Sequence, residues 1–136
     1  MDRLVRVAKD PEEQQEGERK MNKNMTLYVE PAWKYIPENP RIADVRALVN
    51  ELAKEVVEVQ EAVTDYENNP TGKNLAHVGE ELADVVTRAA TCFAAIESMD
   101  VVPCEDFTES CLAWVRHKNH SRGYHNRLSQ REVEWG

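Results

Sequence analysis

The apolar residues in the middle of this chain recur at every third or fourth position, the spacing that places side chains on one face of an α-helix. Between residues 40 and 67 the series is Ile42, Val45, Leu48, Val49, Leu52, Val56, Val59 and Val63; between 74 and 99 it is Leu75, Val78, Leu82, Val85, Val86, Ala89, Phe93 and Ile96. The run from Asn68 to Gly72, NNPTG, separates the two series with a strong turn signal. Two long helices joined by a short loop predict an antiparallel hairpin.

The remaining segments complete an all-α prediction. Asn39 is the predicted N-cap of the first helix, with Pro40 in its first turn. A third helix is predicted from the spacing of Phe107, Cys111, Trp114 and Val115.

Three regions follow from these helices. Residues 1–38 are predicted to be an N-terminal extension, with a weakly ordered lead-in over 9–24 and an irregular, proline-containing arm over 26–40. Residues 39–126 are the predicted helical domain, and residues 127–136 are a tail.

Composition narrows the class of protein. A chain of 136 residues suits one domain, and 7% aromatic residues with only 5 Gly favour helices over a β-sandwich. The chain lacks an apolar run of the ~20 residues that a membrane span needs, and its start lacks a signal-peptide core. We therefore expect a cytoplasmic protein without a membrane partner, in which the 3 cysteines are reduced.

The charge is unevenly distributed. The net charge of -8 disfavours a nucleic-acid partner, because Lys and Arg supply most of the affinity for phosphate backbones. The acids concentrate between Glu51 and Glu97, whereas residues 115–131 contain basic residues and no acid.

Two acid pairs stand out in the acidic stretch. Glu55 and Glu58 are three residues apart on the first predicted helix, and Glu81 and Asp84 are three apart on the second, so a hairpin can bring the pairs together. Four neighbouring carboxylates repel one another, and a divalent cation neutralises them. Because no His or Cys was found at ligand spacing beside these acids, the donor set favours Mg²⁺, or Mn²⁺ as a substitute, over zinc.

The same residues resemble a known family. Glu51-Leu-Ala-Lys-Glu-Val-Val-Glu58, followed after 22 residues by Glu81-Leu-Ala-Asp84, is similar to the ExxE and ExxD signature of the MazG-like all-α nucleotide pyrophosphohydrolases. The segments VVEVQEAV (56–63) and HVGEELADVV (77–86) also match the family's motif helices in apolar spacing, and Asn119–Tyr124 resembles its basic C-terminal stretch. The resemblance covers approximately residues 40–126.

The resemblance implies a reaction and an assembly. The expected reaction is hydrolysis of a nucleoside triphosphate between the α- and β-phosphates, with Mg²⁺ held by Glu55, Glu58, Glu81 and Asp84. The expected assembly is a homodimer or homotetramer in which neighbouring chains complete a helical bundle.

Further roles follow from charge and position. Glu51, one turn before Glu55, is the predicted residue that orients or deprotonates the attacking water, so the predicted catalytic set is Glu51, Glu55 and Glu58. The predicted substrate-binding residues are Arg88, Lys118, Asn119, Arg122 and Tyr124. Tyr124 or Trp33 is predicted to stack on a base.

Two other interpretations stay open. The hairpin can serve as the assembly surface of a non-enzymatic helical interaction protein. A zinc site can be drawn through Cys104, Cys111, His117 and His120, although their spacing is wider than in a cysteine knuckle.

Overall fold

The chain is described by a computed structural model that covers residues 25–126. These residues contain a 3₁₀ turn at Trp33–Tyr35, three α-helices and no strand, which confirms the all-α prediction. The helices are α1 (Ile42–Asn68), α2 (Gly72–Glu97) and α3 (Phe107–Ser121). Residues 29–108 form one compact unit, and residues 25–28 and 109–126 belong to another. None of the three helices combines the length and apolarity required to cross a bilayer.

Helices α1 and α2 form the predicted antiparallel hairpin. Val45 and Leu48, near the start of α1, pack against Cys92 and Ala95, near the end of α2. Leu52, Ile96 and Met99 extend this buried seam. The apolar series read from the sequence contains the seam residues of α1 and Ile96 of α2, but it omits Cys92 and Ala95, the two buried residues that α2 contributes to this seam.

The helix ends differ from the prediction by about two residues. Arg41, not Asn39, is the N-cap of α1, so the predicted cap is wrong. The Arg41 N–H donates to the Asp44 carboxylate at 2.8 Å, and Pro40 is buried ahead of the helix instead of lying in its first turn. At the loop, the Thr71 hydroxyl accepts from the Asn74 N–H at 3.1 Å and starts α2 at Gly72.

The proline-containing arm packs on the hairpin over residues 29–40. The Ala32 N–H donates to the Thr91 hydroxyl at 2.9 Å, and that hydroxyl donates to the Thr87 carbonyl at 2.7 Å. Ile36 packs against the hairpin core. The arm is thus fixed to the hairpin on both sides of the 3₁₀ turn. The predicted lead-in over 9–24 and the tail over 127–136 lie outside the described residues.

Helix α3 is secured at both ends. At its start, the Thr108 N–H donates to a Glu97 carboxylate oxygen at 3.0 Å, and Phe107 packs edge-on against Phe93. At its end, Gly123 adopts a φ of 73°, a left-handed conformation that suits glycine. The Tyr124 N–H then donates to the Asn119 carbonyl at 2.9 Å and closes the last turn.

The bond between Ala32 and Thr91 provides a test of the arm. Thr91→Val keeps the shape of this fully buried residue but removes the acceptor for the Ala32 N–H. We expect the free energy of unfolding to fall by about 1–3 kcal/mol, since a largely buried donor loses its partner. The measurement is urea denaturation combined with hydrogen exchange at the Ala32 amide.

Thr64→Val is the matched control, because its exposed hydroxyl also bonds the carbonyl four residues earlier, at 3.1 Å. Equal midpoints for the two variants, with the Ala32 amide still protected, would contradict the anchoring role.

Candidate metal centre

Three carboxylates converge near the middle of the hairpin. Glu55 comes from α1, and Glu81 and Asp84 come from α2; one oxygen of each lies within 4.8 Å of the others. Glu81 and Asp84 project together because they are three residues apart on one helix, and Glu55 meets them because the two helices pack directly. The structure therefore brings together three of the four acids that the sequence assigned to a metal.

Glu58 lies beside this trio. It is exposed, and its carboxylate is within hydrogen-bonding reach of the Glu55 carboxyl group. Its predicted role as a fourth ligand stays a prediction.

Two of the converging carboxylates are largely withdrawn from solvent. The side chains of Glu55 and Glu81 are 14% and 16% exposed. One oxygen of each, Oε2, is buried and has no hydrogen-bond partner among residues 25–126. A buried acceptor without a donor is costly, so both oxygens are available to a ligand that carries positive charge or donates hydrogen bonds.

The electrostatics of Glu55 reflect this environment. Burial raises the pKa of Glu55 above its ordinary value, and the neighbouring Glu58 and Asp84 raise it further. The Arg88 guanidinium acts in the opposite direction and does not cancel the rise in the Glu55 pKa. The folded protein therefore disfavours the charged form of this carboxylate.

Two basic side chains contact the centre. Arg88 Nε lies 3.4 Å from Glu55 Oε1, and its guanidinium also lies over the Tyr35 ring, 5.2 Å from the ring centre. His77 Nε2 lies 3.6 Å from Glu81 Oε1. The prediction that no histidine lies beside these acids is wrong, because His77 is one helical turn before Glu81. His77 nevertheless stays outside the group of three converging ligands.

A cleft adjoins the carboxylates. Its volume is about 440 Å³, and its lining includes Tyr35, Ala47, Leu48, Glu51 and Arg88. Glu51 thus lines the cleft and lies outside the trio, and Lys54 contacts its Oε1 at 3.0 Å on the exposed side. The water-orienting role of Glu51 stays a prediction.

The other predicted substrate-binding residues belong to the second unit. Lys118 and Asn119 are half-buried in the last turn of α3, while Arg122 and Tyr124 are exposed in the turn after it. The Arg122 guanidinium lies 5.8 Å from the centre of the Tyr124 ring. Their role towards a substrate stays a prediction, as does stacking by Trp33, which is exposed in the arm.

The alternative zinc set receives no support from the second unit. Cys111, His117 and His120, which all lie there, do not form a group of converging ligands within the described part of the chain.

Tyr35 and His77 are the residues at this centre that sequence reasoning did not select. His77 had a readable signal, since it precedes Glu81 by four residues on the same predicted helix. Tyr35 had none: it sits in an irregular arm, where no periodicity indicates which of several aromatic residues turns towards Arg88.

The donor chemistry fits a hard divalent cation. The converging ligands are all carboxylate oxygens, the type that Mg²⁺ and Mn²⁺ prefer, and two of them are buried without a partner. The centre therefore has the donors for such an ion, and it has an adjoining cleft large enough for part of an organic ligand. Comparisons with known protein families, curated proteins and solved structures found no match to this chain.

The raised pKa of Glu55 predicts that removing the charge of this side chain stabilises the folded protein at neutral pH. Because the folded state holds the Glu55 proton more tightly than the unfolded chain does, wild-type stability falls as pH rises above the ordinary value of 4.5. Gln stays neutral, so with a chelator present Glu55→Gln should melt at a higher temperature than wild type at neutral pH. The difference should vanish below the ordinary carboxyl pKa.

Glu61→Gln makes the same charge change at an exposed position of α1 and should leave the melting temperature nearly unchanged. A Glu55→Gln variant that melts no higher than this control at neutral pH would show that the Glu55 charge does not destabilise the folded protein.

Proposed function

We propose that this protein is a Mg²⁺-dependent nucleoside triphosphate pyrophosphohydrolase, which cleaves between the α- and β-phosphates to give a monophosphate and pyrophosphate. The observation that carries the proposal is the convergence of Glu55, Glu81 and Asp84, with a buried, unpartnered oxygen on each glutamate. The type of reaction is inferred from the resemblance of Glu51–Glu58 and Glu81–Asp84 to the MazG-like signature.

The trio would hold the metal ion, with Mn²⁺ as a substitute. A bound divalent ion neutralises phosphate charge and lowers the pKa of a bound water. Arg88 would contribute positive charge on the cleft side of the trio, where its guanidinium can pair with a phosphate oxygen.

Glu58 would act on the attacking water. It contacts Glu55 yet lies outside the trio, so its carboxylate is free to accept the proton that the water loses as its oxygen bonds to the α-phosphorus. The bond from the α-phosphorus to the bridging oxygen breaks, and pyrophosphate leaves. Glu51 lines the cleft instead, which makes Glu58 the better candidate for this role.

The proposal keeps a substrate-binding role for the basic residues of α3 and of the turn after it. This role of Lys118, Asn119, Arg122 and Tyr124 rests on the resemblance of their segment to the family's basic stretch.

A second copy of the chain would cover the outer face of the hairpin. A two-helix hairpin buries one face of each helix, and large apolar residues stay exposed on both: Ile42, Val49, Val56, Val57, Val63, Leu75 and Leu82. Exposed apolar residues in this number on a hairpin are typical of a helical bundle completed by association. We propose a homodimer or homotetramer located in a cytoplasm, without a nucleic-acid partner.

The competing function is that of a non-enzymatic interaction protein, which would use the same exposed apolar face for assembly. It offers no reason for three carboxylates to converge or for two of their oxygens to be buried without partners. This difference favours the enzymatic proposal.

The expected product pattern tests the reaction directly. With Mg²⁺ and a panel of ribo- and deoxyribonucleoside triphosphates, the protein should release monophosphate and pyrophosphate. In water labelled with a heavy oxygen isotope, the label should enter the monophosphate, because the attack is at the α-phosphorus. Release of orthophosphate, or label in the pyrophosphate, would refute the assigned bond.

Two variants test the acids. Glu58→Gln and Asp84→Asn should keep the helical content and lower kcat/KM by about 100-fold or more, as expected when a group that stabilises the transition state is removed. The exposed Glu61→Gln is the control and should retain the wild-type rate. Full activity of Asp84→Asn would overturn the metal assignment, and full activity of Glu58→Gln would overturn the role of Glu58 towards the water.

A further inference from the structure

The cleft beside the carboxylates shares one wall with the metal centre. Glu51 is one turn before Glu55 on α1, and Arg88 is one turn after Asp84 on α2, so both lie on the side of the trio that faces away from the loop. Arg88 belongs to both places, because its Nε contacts Glu55 while its side chain lines the cleft. A ligand whose charged end reaches the trio therefore has room for its other end in the cleft.

The lining matches a flat, polar-edged ring better than a phosphate group. Ala47 and Leu48 provide an apolar surface, Tyr35 provides an aromatic ring, and Glu51 provides a negative charge. Arg88 provides a positive charge on the side of the cleft where it contacts Glu55 of the trio. A carboxylate in the lining repels phosphate, whereas aromatic and apolar side chains with one oriented polar group are typical of sites for heteroaromatic ligands.

Tyr35 is held in place without using all of its surface. Its 3₁₀ turn is fixed on one side by the Ala32–Thr91 hydrogen bond and on the other by the packing of Ile36. Arg88 and Lys34 lie over its ring, 5.2 and 4.9 Å from the ring centre, and the residue is still 48% exposed, so a ligand that stacks on the ring would displace the exposed Lys34 side chain. A ring fixed in this way loses little further conformational freedom when a ligand stacks on it.

Glu51 determines which ring edges the cleft accepts. A carboxylate only accepts hydrogen bonds, so it favours bases that present N–H donors and disfavours those that present carbonyl oxygens. Guanine offers two adjacent donors, at N1 and at its amino group, which match the two oxygens of one carboxylate. Uracil flanks its single ring donor with two carbonyls. The contact between Lys54 and Glu51 is an exposed ion pair and therefore a weak competitor.

We infer that this cleft is the nucleobase subsite, in which Tyr35 stacks on the base and Glu51 selects bases with N–H donors, guanine above uracil. The inference rests on the proposed function for the identity of the ligand as a nucleotide. It assigns Tyr35 a role in substrate binding. It also gives Glu51 a role in recognising the base, in place of the predicted role in orienting the attacking water.

Equilibrium binding tests the cleft independently of catalysis. Calorimetric titrations with Mg²⁺ present would compare guanosine monophosphate, uridine monophosphate and ribose 5-phosphate, which lacks a base. Guanosine monophosphate should bind wild type about tenfold or more tightly than ribose 5-phosphate, a difference in the range of one base–aromatic stack. Tyr35→Ala should remove that difference, whereas Tyr35→Phe, which keeps the ring, should retain it. Glu51→Gln should bring the guanosine and uridine affinities together.

The contrary results are distinct from failure of the proposed function. Equal affinity for guanosine monophosphate and ribose 5-phosphate, or a base preference that survives Tyr35→Ala, overturns the subsite. A parallel assay of triphosphate hydrolysis reports on the proposed function alone. A protein that binds the base through Tyr35 but does not hydrolyse triphosphates would support the base subsite and refute the proposed enzymatic function. A protein that hydrolyses triphosphates but shows no base preference would support the enzymatic function and refute the base subsite.

Discussion

Repulsion among carboxylates is the constraint on which the rest of this structure depends. Two unit charges 4.8 Å apart repel by roughly 3 kcal/mol at an effective dielectric of about 20, a larger energy than an exposed ion pair contributes. Glu55, Glu81 and Asp84 are nevertheless held together, because the apolar seam of α1 and α2 fixes the register of the hairpin on which they sit. The seam thus imposes a local cost that a divalent cation can relieve.

Arg88 connects this centre to the rest of the unit. It contacts Glu55, lies over Tyr35 and lines the cleft, so a single side chain joins the carboxylates to the arm. The arm is anchored by Thr91, which lies one helical turn after Arg88 on α2. The buried Thr91 hydroxyl accepts a hydrogen bond from the Ala32 N–H. The anchor of the arm and the lining of the cleft are therefore both on α2, three residues apart, at Thr91 and Arg88.

Sequence periodicity predicts the hairpin and the convergence of Glu55, Glu81 and Asp84, because the helical backbone fixes the spacing of the side chains. The same rule places Glu81 beside Asp84, and it also places His77 beside Glu81, contrary to the prediction that no histidine lies beside these acids. The predicted N-cap of α1 is wrong because the Asp44 carboxylate accepts from the Arg41 N–H and so fixes the helix start two residues after Asn39. The position of Tyr35 was beyond sequence reasoning, since an irregular arm takes its path from tertiary contacts such as Ala32 with Thr91.

The central claim is that the three converging carboxylates bind a divalent cation, and thermal unfolding with and without Mg²⁺ tests it most directly. The account predicts that saturating Mg²⁺ raises the melting temperature of wild type by about 4 °C or more relative to chelator, since an ion that binds only the folded state stabilises it. The same addition should leave Glu81→Gln unshifted. A wild-type protein that melts at the same temperature in chelator and in saturating Mg²⁺ would contradict the account.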